Sequence, residues 1–258
     1  MNRATLSDAK YRDLFGDRDA SAPEDDPEFM TILRRLIFGE VFHTGDLDEQ
    51  TRELITVVVL ATNQMLPQLK AHTAAALNTG VTPIELREAV YQCAPFIGFP
   101  ATLNAIAVIN DVFRARGIEV PLTSQATALE DERYDKGNSI QSPIYGDEIK
   151  HDLAALPEGL GDALARFLTE FCFGDFYTRT GLELAQRELL VLCLLAALGG
   201  TDTQLRTHAL GNQKVGNSRT RQISALIHCF PYIGFPRALN AIRIVNGADD
   251  GVEHAATS

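Results

Sequence analysis

The chain has 258 residues, 45% of them hydrophobic and 22% charged, with no tryptophan and a formal net charge of −11. That length suits two domains of about 100–150 residues or one larger one, with the ordinary balance of a core-forming globular protein. The acidic surplus, with no basic run to offset it, excludes nucleic acid as an expected partner, because phosphate backbones repel such a chain.

The opening stretch, MNRATLSDAKYRDLFGD, holds no apolar run, so no secretory signal is expected. From 29 to 42 apolar residues fall at helical spacing: Phe29, Ile32, Leu33, Leu36 and Ile37. Asp48 can cap the next helix, with Glu49 in its first turn. That helix runs through RELITVVVLAT and is apolar all round from 55 to 61, which predicts burial on most faces. Its β-branched residues also suit a strand, but its length and the equivalent LLVLCLLAAL favour helix. Pro67 suits the first turn of a third helix that ends at Asn78, Thr79 and Gly80. Thr82, Pro83 and Glu85 form a capping box for a fourth helix, expected to reach Ala94. Pro95, Gly98 and Pro100 break it, and a last helix runs to about Arg114. No glycine-rich strand-turn-helix signal appears, so the fold class is all-α.

The chain repeats itself. YQCAPFIGFPATLNAI (91–106) and IHCFPYIGFPRALNAI (227–242) share ten of sixteen residues at an offset of 136. Upstream, FGEVF (38–42) matches FGDFY (173–177), and REL at 52–54 matches REL at 187–189, at an offset of 135. The one inserted residue falls near Leu198, Gly199 and Gly200, where a turn is expected. Between the copies, 117–150 has linker composition and is expected to pack on a domain surface. The expected organisation is a first helical domain over 1–116, a linker or surface segment over 117–150, and a second helical domain over 151–258.

Neither apolar run, 55–61 or 189–198, is long enough to span a bilayer, so no membrane partner is expected. Cys93, Cys172, Cys193 and Cys229 form no CxxC and no metal pattern. The expectation is a cytoplasmic protein with free thiols and neither metal nor cofactor.

Glu53 opens the all-apolar helix, and His72 lies in the next one. If the turn at 63–67 makes these helices antiparallel, the two side chains face each other. Glu188 and His208 repeat the arrangement. Taken singly, Glu53 reads as a dipole-favoured first-turn glutamate and His72 as a polar-face residue. Recurrence of the pair shifts the balance toward a site, because most polar positions differ between the copies. Arg52 and Arg187 also recur, and suit a substrate carboxylate as well as a structural salt bridge. His228, where copy one has Gln92, suits a pocket wall or a helix cap. Asn104 and Asn240 recur beside the IGFP break and read as packing residues.

The run Arg52-Glu53-Leu54, the stretch LKAHTAAALNTGVT (69–82), Glu85, Arg87, Glu88 and IGFPATLNA (97–105) resemble the carboxymuconolactone decarboxylase family, which includes the alkylhydroperoxidase D-like proteins. Copy two keeps Arg187-Glu188-Leu189, His208, Gly216 and IGFPRALNA but not the asparagine turn. The resemblance implies an all-α fold of two tandem units. Single-unit members assemble as six-unit rings, so a tandem chain is expected as a ring-shaped trimer. The peroxidase branch carries CxxC seven and four residues before the histidine. Here those positions are Met65 and Gln68, then Thr201 and Gln204, so no thiol can attack a peroxide. The decarboxylase branch fits better, with aromatic-compound catabolism as its implied setting. Its namesake reaction needs no cofactor when the substrate provides its own electron sink. Histidine suits protonation of the resulting carbon, and a glutamate in an apolar site can orient the imidazole or repel the departing carboxylate. The residues then expected to act are Glu53 with His72 and Glu188 with His208, on a small carboxylated or lactone substrate. Isomerase, cyclase or lactone hydrolase chemistry on the same scaffold, and a non-catalytic oligomeric binding protein, stay open.

Overall fold

The computed structural model describes residues 2–16 and 25–248, so the outer ends of the domains read at 1–116 and 151–258 lie outside the described residues. Every regular element among the described residues is helical. Asn2 accepts hydrogen bonds from the amides of Ala4 and Thr5 and starts α1 (Arg3–Phe15), which Gly16 ends at φ +76°. Helix α2 (Pro27–Ile37) stops short of the expected Phe42, and a 3₁₀ turn at Val41–His43 follows. Just past its end Gly39 packs closely against α1, where a Cβ would stand 2.2 Å from the Arg3 carbonyl oxygen.

Asp48 caps α3 (Glu49–Thr62) through the Thr51 amide, as its sequence implies. Helix α4 (Leu66–Asn78) returns alongside it, and the Thr82–Glu85 capping box starts α5 (Pro83–Tyr91). A short α6 (Ala94–Ile97) leads to Gly98 at φ +79° and then α7 (Phe99–Ala115). After an irregular stretch come α8 (Arg133–Tyr145), α9 (Glu148–Ala154) and α10 (Leu160–Phe167). A π-helical segment, Leu168–Tyr177, precedes α11 (Leu184–Leu198), α12 (Asp202–Lys214) and α13 (Arg219–Asn246). The last helix bends at Gly234, φ +78°, the counterpart of Gly98.

Segment 117–150 therefore divides. Helix α8 belongs to the second repeat as α1 belongs to the first: each has thirteen residues, ends on an aromatic residue and stops at a glycine. Gly174 meets the Arg133 carbonyl, at 2.4 Å from a hypothetical Cβ, as Gly39 meets that of Arg3.

Helices α3 and α11 pack against each other at the centre, buried on nearly every face. Their side chains merge into one hydrophobic cluster that runs through both repeats, so the two units share a core. No helix among the described residues is long and apolar enough to cross a membrane.

Candidate active site

The turn after α3 folds α4 back along it and brings Glu53 to His72. His72 Nδ1 and Glu53 Oε2 are 2.9 Å apart. Glu53 is fully buried and His72 is 7% exposed. The second oxygen, Glu53 Oε1, is buried with no hydrogen-bond partner. A carboxylate oxygen left unpaired away from water is costly and needs an explanation.

The other repeat closes this site. Helix α13 brings in His228 and Tyr232, one turn apart. The Tyr232 ring stands edge-on to His72 at 5.7 Å and lies 6.0 Å from His228. From α1, Phe15 also packs edge-on against His72, at 5.5 Å. The Thr56 hydroxyl donates to the Arg52 carbonyl at 3.0 Å, so in its 3.0 Å contact with His228 Nε2 the imidazole must be the donor. Burial, then the charges of Arg52 and His72, push the His228 pKa down to about 3. His228 is thus neutral, protonated on Nε2, with a bare lone pair on Nδ1 that has no partner. The Tyr232 hydroxyl makes no ordinary hydrogen bond either. The neighbouring Thr56 hydroxyl only partly offsets the burial and the Glu53 charge, which hold the phenol above its usual range.

The second pair also meets, with different neighbours. His208 Nδ1 lies 3.1 Å from Glu188 Oε2. Here both carboxylate oxygens are engaged: Tyr177 donates to Oε1 at 2.6 Å and Tyr145 to Oε2 at 2.5 Å. The Tyr145 oxygen is also 2.7 Å from His208 Nδ1. Across the repeat boundary stands Phe96, 5.8 Å from the His208 ring. The two sites have therefore exchanged polarity. Positions filled by Phe15 and Phe42 in the first are filled by Tyr145 and Tyr177 in the second, while Tyr232 and His228 in the first become Phe96 and Gln92 in the second.

The recurrent arginines turn inward. Arg52, 2% exposed, donates to the carbonyls of Leu47, Val41, Thr44 and Gly45. Arg187, 1% exposed, donates to Gln92 Oε1 and to the carbonyls of Arg179 and Thr180. Both guanidiniums hold the loop before their own helix, a structural role in place of a fork offered to a ligand. Asn104 donates to Gln64 Oε1 at 2.8 Å and Asn240 to Asp202 Oδ1 at 2.9 Å, both in exposed contacts between side chains.

The four thiols are buried and free, and burial pushes the Cys93 pKa up to about 12, where it stays protonated. No cluster able to hold a metal ion occurs among the described residues.

Sequence reading missed Tyr145, Tyr177, Tyr232 and Phe15. One signal was present: IYGD at 144–147 echoes LFGD at 14–17, at an offset of 130 that the inter-repeat spacing disguises.

A model of the carboxymuconolactone decarboxylase family matches residues 27–111 and again residues 162–247. Over 91 residues the chain is 34% identical to 4-carboxymuconolactone decarboxylase of Acinetobacter baylyi, covering 35% of this chain and 68% of that one. It is 35% identical over 85 residues to nitrosuccinic acid decarboxylase of Metarhizium robertsii, covering 31% and 59%. It is also 33% identical over 89 residues to an uncharacterized 15.0 kDa protein of Paracoccus denitrificans, covering 34% and 66%. The chain thus spans between 59 and 68% of the length of these curated relatives. Each alignment is about one repeat long.

Proposed function

Since the chain belongs to the carboxymuconolactone decarboxylase family, matched over both repeats, we propose that it is a cofactor-independent decarboxylase whose working acid is His72, oriented by Glu53. The observation that carries this is the buried Glu53–His72 contact with Oε1 left unpaired. Such a site is stable only because the fold elsewhere over-determines it, the usual signature of a group kept for chemistry.

Two relatives are named for substrates that carry a carboxyl near an electron-withdrawing group, a lactone in one and a nitro group in the other. The substrate class here is the same: a small acid whose neighbouring group can take up an electron pair. The C–CO₂⁻ bond breaks, its electrons pass into that group, and CO₂ leaves. Glu53, desolvated beside the carboxylate, raises the energy of the charged ground state more than that of the delocalised transition state. His72, oriented through Nδ1 by Glu53, then gives a proton to the carbon, and solvent restores it. His228 Nδ1 and the Tyr232 hydroxyl are buried without partners on the α13 side of the Glu53–His72 pair, and both are assigned to holding the substrate. Arg52 is assigned to keeping His228 neutral.

Incubation with 4-carboxymuconolactone and with nitrosuccinate should release CO₂ from at least one. The His72→Ala, His208→Ala double variant should abolish that release, and full turnover in it would discard the assignment.

The chain is further proposed to assemble as a trimer of tandem units. Phe99 and Leu103 on α7 are 59% and 61% exposed, and their counterparts Phe235 and Leu239 on α13 are 61% and 53% exposed. Matching apolar patches on both repeats suit contacts between copies.

A further inference from the structure

A cavity of about 400 Å³ opens beside His208, bounded by Phe96, Tyr145, Leu168 and Phe173 and flanked by Glu148 and Asp152. Its size is within the ordinary range for small-molecule sites, about 300–1,000 Å³. Hydrogen-bond bookkeeping fixes what it offers. Tyr145 spends its one proton on Glu188 Oε2. His208 Nδ1 faces that carboxylate at 3.1 Å and the phenol oxygen at 2.7 Å, two acceptors, so Nδ1 carries the proton. In the neutral imidazole the lone pair then sits on Nε2, which makes no hydrogen bond among the described residues, in a ring that lines the cavity. Gln141, Thr203, Gln204 and Thr207 also line the cavity, so the imidazole sits among neutral polar groups on walls that are otherwise apolar. Its charged neighbours are all acidic: Glu148 and Asp152 on the wall and Glu188 behind the imidazole. No lysine or arginine among the described residues lines it.

We infer that the Glu188–His208–Tyr145 site is a separate binding site for a small, uncharged, largely apolar molecule bearing a hydroxyl group, which donates its hydrogen bond to His208 Nε2. An anionic ligand would enter a space with three carboxylates and no lysine or arginine, where only neutral amides and hydroxyls and the imidazole could meet its charge. The two pairs then differ in ligand class. The Glu53 pair acts on an acid; the Glu188 pair, its carboxylate already saturated by two phenols, holds a neutral molecule. The inference needs no turnover, so it stands or falls apart from the decarboxylase reading.

The chain has no tryptophan, so Phe96→Trp places a single reporter on the cavity wall. Its fluorescence is titrated at pH 7.5 with cyclohexanol and with cyclohexanecarboxylate, neither of which absorbs at the exciting wavelength. A saturable change with cyclohexanol is expected, with the carboxylate binding at least about ten-fold more weakly, and Glu148→Gln, Asp152→Asn should narrow that gap. Saturation-transfer NMR compares the same two probes on the unaltered chain and on His208→Gln, in case the indole fills the space. Transfer to cyclohexanol should fall in the variant. Absence of saturable cyclohexanol binding by both methods, or equal affinity for the two probes, would overturn the inference.

Discussion

Glu53 and Glu188 occupy equivalent positions and meet opposite conditions. The first has an unpaired buried oxygen; the second has three donors around two oxygens. Replacing each by glutamine should therefore act in opposite directions. Glu53→Gln removes a poorly satisfied buried charge and should raise stability by about 1 kcal/mol, while cutting turnover at least about 100-fold. Glu188→Gln turns an acceptor into a donor facing phenols that must donate, and should cost about 1–3 kcal/mol. Urea melts of the two variants check the pair, and a loss in both would remove the asymmetry. His228 makes a pH prediction of known sign. Its pKa is near 6.5 in an unfolded chain and about 3 when folded, so the unfolded state binds more protons in between. The stability is complete above pH 6.5 and is lost as pH falls below it, by up to about 1.4 kcal/mol per unit. His228→Gln, which installs the residue of copy one, should shrink the drop in urea midpoint between pH 7.5 and 5.5; an unchanged drop would contradict the assignment.

At the scale of elements, α5 and α13 each reach across to the loop before the other repeat's central helix. Glu88 on α5, fully buried, receives Arg179 at 2.7 and 3.0 Å and has Arg187 at 3.5 Å. Its counterpart Ser224 accepts from the Asp46 amide at 3.2 Å. Glu88→Gln would remove the buried carboxylate that Arg87, Arg179 and Arg187 share and should destabilise the fold by about 3–5 kcal/mol, read from the thermal or urea midpoint. Replacing Ser224 by alanine should cost far less. The helices legible in the sequence were those with local punctuation: Asp48 before α3, Thr82 and Glu85 at α5, Gly98 before α7. Helices α1 and α8 escaped because they are polar and each buries few residues, such as Ser7 and Leu14 on α1. The Glu/His pairs were legible because each lies within one repeat, joined by a single turn. Tyr232 and His228 were not placed, because nothing local tells a residue on α13 that its neighbours sit on α3 and α4. The arginines read as open between ligand and scaffold because only tertiary structure shows which carbonyls take their protons.

For the whole molecule, a shared core means that the repeats cannot part without exposing α3 and α11. The exposed residues Leu103, Phe235 and Leu239 lie on the outer surface, as does Phe99, which also packs against Phe171 of the second repeat at 5.3 Å. Leu103→Lys, Leu239→Lys should lower the mass seen by light scattering from that of three chains of 28.2 kDa to that of one, leaving the helical circular-dichroism signal unchanged. A native mass already equal to one chain would end the trimer proposal. The crossing of His228 and Tyr232 into the Glu53 site, and of Gln92 and Phe96 toward the Glu188 site, has a consequence for inheritance. Were the gene split at the midpoint, two copies of the first half would build a centre walled by glutamine and phenylalanine, and two copies of the second would build neither original. Only a one-to-one mixture would restore the native surroundings, and continuous translation guarantees that stoichiometry, leaving each copy free to specialise on condition that the other stays beside it.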